Sequence, residues 1–136
     1  MQLNIEPLKP SDYDDYLRHW WKDWRWPAPT KEFLPLNGTG GFMVSYGDRP
    51  ICAGFMYTTN AQVAWCDWII SDFHFKDKKV RKTALLLLIK TITLFAESLD
   101  NKYVYALIKN QSLASAYKSI GYVEGSSYTH EMIKIL

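Results

Sequence analysis

Asp67 is the residue in this chain best suited to taking up a proton. It is a lone carboxylate inside an apolar, strand-like run, set between Cys66 and Trp68. A carboxyl group withdrawn from water resists ionisation, so its pKa climbs toward the range that suits a general base. The other reading is a structural Asp satisfied by hydrogen bonds. His130, close to the chain end, is a second candidate base, although a strand histidine is more often a packing residue. Asp72 and His74 follow behind it. A second kind of chemistry is offered by Lys76, Lys78, Lys79, Arg81 and Lys82. They come directly after an apolar strand and directly before a long apolar helix, which puts them at a helix N-terminus. Free N–H groups and the helix dipole favour an anion there, and a solvated lysine-rich turn has the same composition.

Other site chemistries find little support. Cys52 and Cys66 sit in apolar runs with no CxxC spacing, and read as reduced core residues. The three histidines are far apart, so no metal site is predicted. No Ser-His-Asp or Cys-His constellation can be assembled. The formal net charge of +2 is too small to argue for nucleic acid by itself.

The elements that must position these residues follow from periodicity. Leu3 and Ile5 alternate with polar neighbours as a first strand, ended by Pro7 and Pro10. Ser11 reads as an N-cap, with Asp14 in the capping-box position. Tyr13, Tyr16, Leu17, Trp20, Trp21 and Trp24 then recur at helical spacing, either as a core face or as part of an acceptor cleft. Trp26-Pro27-Ala28-Pro29 breaks this helix. Three closely spaced strands are predicted at 42–46, 51–57 and 63–71, an antiparallel meander. A long helix runs from near Val80 to Leu99, with Leu85, Leu88, Ile92, Phe95, Ala96 and Leu99 on its buried face. The strand 103–108 returns after this crossover and should lie parallel to a neighbour. Asn110 caps a short helix with Leu113, Ala116, Tyr117 and Ile120 on one face, and Gly121 stops it. Tyr122-Val123 and Tyr128 to Leu136 read as two last strands.

The chain of 136 residues fits one domain, 1–136. Its N-terminus lacks a basic region and an apolar core of signal-peptide type, and its longest apolar run falls far short of the ~20 residues that span a bilayer. A soluble, cytoplasmic protein that does not engage membrane is therefore expected.

The order of elements, together with Asn110, Tyr117 and Gly121-Tyr122 in the run Asn110 to Tyr122, resembles the GNAT superfamily of acyl-CoA-dependent N-acetyltransferases. The resemblance covers nearly the whole chain. Trp68-Ile69-Ile70-Ser71 before a basic turn looks most like small acetyltransferase-like proteins of bacteriophages, which would place it in the host cytoplasm. The resemblance implies an α/β (α+β) single-domain fold. Its sheet would be mixed, mostly antiparallel and six- to seven-stranded, with a central splayed parallel pair and three to four flanking helices. It implies acetyl-CoA as co-substrate and direct acetyl transfer to an amine, on a small molecule or a protein. The cofactor arm would pair with backbone at Ile69, Ile70 and Ser71. The pyrophosphate would rest at the start of the long helix, near Lys76, Lys79, Val80, Arg81, Lys82 and Thr83. Asn110 would contact the arm. Tyr117 would be the acid for the departing thiolate, with Asp67 as the base.

One stretch departs from the family pattern. Aligning Ala84-Leu85 with the family's helix start puts Asp77, Val80 and Lys82 where the pyrophosphate loop carries Gln or Arg and two small residues, so both glycines are missing. Glycine allows close approach of phosphate to backbone. The lysines and arginine would have to compensate from the side. The competing reading is a catalytically degenerate GNAT-like protein that binds another protein, for example a phage host-interaction or virion component. Contact of Lys76–Lys82 and neighbouring Phe73 and Phe75 with single-stranded nucleic acid is a third, disfavoured by the low net charge. The sequence leaves the acceptor and the oligomeric state open, a homodimer included.

Overall fold

The computed structural model describes residues 2–136. One five-stranded sheet carries the fold, in the order β1-β2-β3-β4-β5. Strands β1 (Leu3–Pro7), β2 (Gly41–Tyr46), β3 (Arg49–Tyr57) and β4 (Val63–Ser71) run antiparallel to their neighbours, and β5 (Tyr103–Tyr105) lies parallel to β4. The meander is the predicted one, because Gly47-Asp48 and Thr58 to Gln62 are too short to connect anything but adjacent antiparallel strands. β5 comes back parallel because α2 (Lys78–Ser98) carries the chain across the sheet first.

Two apolar layers sandwich the sheet. On one face α2 buries Ala84, Leu88, Ile89, Ile92 and Ala96 against Val44, Ile51, Cys52, Met56, Ala64 and Cys66. α3 (Gln111–Ser119) adds Tyr117 to the same cluster. On the other face Leu17, Trp20 and Trp21 pack on Met43, Ala53, Phe55 and Ile70. The aromatic stripe of the first helix is therefore largely core. That helix is not regular: Tyr13–Leu17 forms a π-helical turn, and only Arg18–Asp23 is α-helical, here α1. Ser11 does not cap it. Asp12 stands at the cap position and its carboxylate instead accepts from the Lys9 N–H at 2.7 Å.

Three sequence expectations need correction. Phe95 and Leu99 do not belong to the buried face of α2: they are 44% and 49% exposed, and Phe95 meets Phe42 only edge-on at the sheet margin. Strand β5 ends at Tyr105 rather than Ile108. Among the described residues the two last strands do not form, so the sheet has five strands rather than six or seven, with three α-helices beside it. Tyr122 is anchored, its hydroxyl 2.6 Å from Thr93 Oγ1 and its ring edge-on to Tyr117, but residues 123–136 carry no regular structure. A strand exists only through its ladder, and the outer strand β5 offers a ladder of three residues, too little to order a distant hairpin. No helix among the described residues is long and apolar enough to cross a membrane.

Candidate functional site

The site is a parting of two strands. β4 pairs with β5 at Val63↔Tyr103, Ala64↔Val104 and Trp65↔Tyr105. Beyond Trp65 it continues for six residues without that neighbour, to Ser71. Within this stretch β4 bulges. Phe55 stands opposite Asp67 and Ala53 opposite Ile70, so Trp68 and Ile69 share Gly54 as their partner, and Trp68 takes a left-handed φ of 55°. A bulge bends a strand and re-aims its side chains. Gly54 permits it: a Cβ there would lie 2.4 Å from Ile69 Cδ1 and 3.1 Å from Ile92 Cδ1.

Tyr117 reaches this parting from α3. Its hydroxyl donates to the Cys66 carbonyl at 2.9 Å and lies 3.5 Å from Cys66 Sγ. Where β5 has left, a side chain thus supplies β4 with a donor. The phenol is 2% exposed, and burial, followed by the neighbouring Cys66, drives its pKa well above the ordinary value for Tyr.

Asp67 flanks the same parting. Its Oδ1 accepts from the Trp68 N–H at 3.1 Å, across the bulge. Burial pushes its carboxyl up to about 6, against the pull of hydrogen bonds from the Trp68 and Leu107 backbone. The prediction of a raised pKa and that of a hydrogen-bonded Asp therefore both describe it. Nearby Tyr57 is raised to about 12 by burial and by the Asp67 charge, and its hydroxyl donates to the Phe33 carbonyl. Cys66 is fully buried and its thiol is pushed up to about 12, mainly by desolvation, which leaves it almost no thiolate at neutral pH.

At the far end of β4 the Ser71 carbonyl accepts from the Trp24 indole Nε1 at 2.7 Å. Trp24 stacks on Trp26 (5.1 Å, 16°), meets Phe73 edge-on (4.9 Å) and lies under the Arg81 guanidinium (5.9 Å). Arg81 also donates to the Phe75 carbonyl, while its Nε is buried without a partner.

The start of α2 differs from the sequence reading. The helix begins at Lys78, and Asp77 is its N-cap, with Oδ1 accepting from the Val80 N–H at 3.1 Å. A carboxylate already holds one of the N–H groups expected to meet pyrophosphate. Lys79, Val80 and Thr83 border a shallow depression shared with Leu3 and Tyr46, toward β1 rather than the β4–β5 parting. Lys76 folds over the Phe73 ring at 4.2 Å. Arg81 is accordingly the basic residue of this segment that sits beside Trp24 and the end of β4.

No family profile and no curated protein matches the sequence. Solved structures do match. The ribosomal-protein-S18-alanine N-acetyltransferase of Escherichia coli superimposes with a TM-score of 0.71 at 14% identity, covering 92% of this chain and 80% of that one. Glucosamine-6-phosphate N-acetyltransferase from Arabidopsis thaliana gives 0.68 at 10% identity over 98% and 100% of the two chains. An acetyltransferase of Trypanosoma brucei gives 0.65 at 13% identity over 97% and 100%. This chain has the GNAT fold.

The GNAT fold brings some predicted residues together and scatters others. Asp67, Ile69, Ile70, Ser71 and Tyr117 surround the stretch of β4 that β5 leaves. Asn110 is the N-cap of α3, its Oδ1 accepting from the Leu113 N–H at 3.0 Å. Lys82 is exposed on the α2 surface. His130 lies in the segment without regular structure and hydrogen-bonds Thr129. Asp72 pairs with Arg49 at 3.0 Å, and His74 faces Asp23 at 3.5 Å. Among the described residues no group of His, Cys, Asp and Glu could hold a metal ion.

Sequence reasoning missed two long-range partners at this parting. Cys66 as the acceptor for Tyr117 and Trp24 as the donor to Ser71 are contacts across 51 and 47 residues, beyond any local pattern. The neighbours of Asp67, also missed, did leave a local signal. Strand alternation puts Trp65 on its face, and the meander brings Tyr57 opposite Trp65.

Proposed function

We propose that this protein transfers an acetyl group from acetyl-CoA directly to an amine, in the cytoplasm. One observation carries the reading. A strand with an unpaired edge, a backbone bulge, a carboxyl group titrating near pH 6 and a phenol all meet at one parting of the sheet, inside a fold shared with several N-acetyltransferases.

The chain's residues fit the arm of acetyl-CoA better than its phosphates. The β4 edge past Trp65 leaves backbone at Ile69 and Ile70 for an extended amide-bearing arm, whereas the Ser71 carbonyl already accepts from the Trp24 indole. At α2 the Asp77 carboxylate would oppose phosphate, and Arg81 with the neighbouring lysines would have to outweigh it.

Each group has a step it can perform. Asp67, ionised above pH 6, takes the proton that the attacking amine must lose. The amine nitrogen bonds to the acetyl carbon, and the carbon–sulfur bond then breaks. The Trp68 N–H at the bulge is held by the Asp67 carboxylate, so any backbone donor for the oxygen of the tetrahedral intermediate would come from further along β4. Tyr117, whose one hydroxyl proton rests on the Cys66 carbonyl, would serve the leaving sulfur by turning that donor onto it. An alkyl thiol titrates at about 8.5 and Tyr117 well above its ordinary value, so the phenol stabilises the thiolate without giving up its own proton outright. Cys66 cannot carry the acetyl group as an intermediate, being buried and protonated, which favours direct transfer.

A thermal-shift titration tests the reading, since a ligand of the native state raises its stability. Acetyl-CoA should raise the melting temperature in a saturable way, and CoA thiol should appear when amines are added. No shift at about 1 mM acetyl-CoA would sink it, given the logarithmic dependence on ligand concentration.

The second reading is a GNAT-fold binding protein without catalysis, such as a bacteriophage component that engages a host protein. The capping of Val80 N–H by Asp77 favours it, because it sets negative charge where a phosphate must come.

A further inference from the structure

Around Asp67 the face of the sheet carries aromatic side chains that the acetyl-transfer reading does not use. Trp65 and Asp67 lie two residues apart on β4 and so project to one face. Tyr57 stands opposite Trp65 on β3, and Tyr105 stands opposite it on β5, so these side chains share that face. The Trp65 and Tyr105 rings are 4.5 Å apart at 46°. α2 and α3 cover the reverse face, where Ala64, Cys66 and Val104 pack. On the near face the first helix covers the Phe55 and Ile70 end. The Trp65 end stays open: Tyr105 is 43% and Leu107 55% exposed, and Trp65 and Asp67 are half-buried.

Asp67 brings the only charge to this face among these residues, and no described ion pair includes it. A half-buried carboxylate with no cation of its own is costly to keep ionised. Aromatic faces attract cations through their ring quadrupoles, and a carboxylate beside them completes a site for an ammonium group. Anionic molecules would be repelled. A divalent metal would need further ligands that are not there.

We propose that this face seats the acceptor, and that the acceptor is a cationic primary amine on an aromatic or apolar body. The ring system of the acceptor lies against Trp65 and Tyr105, and its ammonium meets Asp67 at the mouth of the β4–β5 parting. This rests on the acetyltransferase reading for the fate of the amine, but the binding itself does not require acetyl-CoA.

The experiment measures binding of 2-phenylethylamine and of its uncharged analogue 2-phenylethanol to the full chain at pH 7.5. Calorimetry and tryptophan fluorescence supply the readouts, and no acetyl-CoA is present. The amine should bind at least tenfold more tightly than the alcohol. Asp67→Asn should erase that preference while leaving alcohol binding unchanged, and Trp65→Ala should weaken both ligands. Thermal melts of each variant establish that it is folded. Equal affinity for amine and alcohol, a preference that survives Asp67→Asn, or no binding of either ligand would overturn the proposal. The two readings fail separately. Amine binding without any release of CoA thiol would keep the amine site and remove the transfer reaction. Release of CoA thiol with other amines, and no phenylethylamine binding, would do the reverse.

Discussion

The Tyr117 hydroxyl donates to the Cys66 carbonyl across 2.9 Å, between a helix and the strand that has just lost its neighbour. This contact does two jobs at once. It ties α3 to the sheet, and it stations a phenol where the departing sulfur is proposed to sit. Tyr117→Phe separates them. The ring stays in its cavity, so packing is nearly kept, but a buried carbonyl loses its donor, at a cost of about 1 to 3 kcal/mol. Denaturant melts should show that loss. If Tyr117 steadies the thiolate, kcat should fall about 100- to 1,000-fold, the usual worth of one donor aimed at developing negative charge, while the affinity for acetyl-CoA changes little. Equal loss of affinity and turnover would make it a binding or structural residue.

Asp67 predicts a pH dependence with a definite sign. Its folded-state carboxyl titrates at about 6, raised from 3.8 by burial. A raised acid favours the protonated folded state, so its contribution to stability is fully present below about pH 4 and is lost as pH rises through 6. The loss amounts to about 3 kcal/mol at most. Asp67→Asn cannot ionise and should therefore be more stable than the parent at pH 8, with the two converging near pH 4. Activity should move the opposite way. The parent's kcat/KM should fall on the acid side with an apparent pKa near 6, and the variant should be nearly inactive with no such limb. Melting curves and rate profiles across pH 4 to 8, roughly the span in which such a group titrates, test both halves.

Asp77 lets charge be separated from capping at the start of α2. Asn at an N-cap accepts the same hydrogen bond as Asp, so Asp77→Asn should leave the melting temperature almost unchanged, whereas Asp77→Ala should cost about 1 kcal/mol. Removing the negative charge should strengthen binding of acetyl-CoA if its phosphates come to this helix end, by an amount that shrinks as salt is added. If Asp77→Asn leaves affinity untouched at low salt, the phosphates lie elsewhere, and the basic segment 76–82 is a solvated surface.

These residues also show where sequence reading succeeds. The meander, α2, the parallel return of β5 and the Asn110 and Gly121 ends of α3 all follow from local signals: alternation, helical period, connection length and capping chemistry. What escaped is tertiary or compensatory. Trp68 takes a left-handed φ with no residue type to announce it, because the space that allows the bulge belongs to Gly54 on the neighbouring strand. Family spacing assigns Asp77 to a phosphate loop, whereas its carboxylate is the N-cap of α2. Tyr128 to Leu136 has the alternation of a strand, but propensity does not provide a partner edge. Sequence spacing likewise placed Lys79, Val80 and Thr83 with Arg81, whereas the helix turns them toward β1.

Gly54 therefore becomes the most informative residue outside the chemistry. A Cβ at this position would meet the Cδ1 of Ile69 at 2.4 Å, and that methyl is the far end of a flexible side chain. Gly54→Ala should push Ile69 aside and disturb the bulge that carries Asp67 and Trp68. Overpacking of this kind costs about 1 to 3 kcal/mol. Ile69→Val removes the clashing methyl, at a cost of about 0.5 to 1.5 kcal/mol by itself. The double variant should then be more stable than the sum of the two losses allows, because the clash exists only when both groups are present. Denaturant melts of the four proteins measure that coupling, and acetyl transfer should recover with it. Additive losses would mean that Ile92 Cδ1, 3.1 Å from the added Cβ, sets the strain instead. Ile92→Val would then provide the rescue.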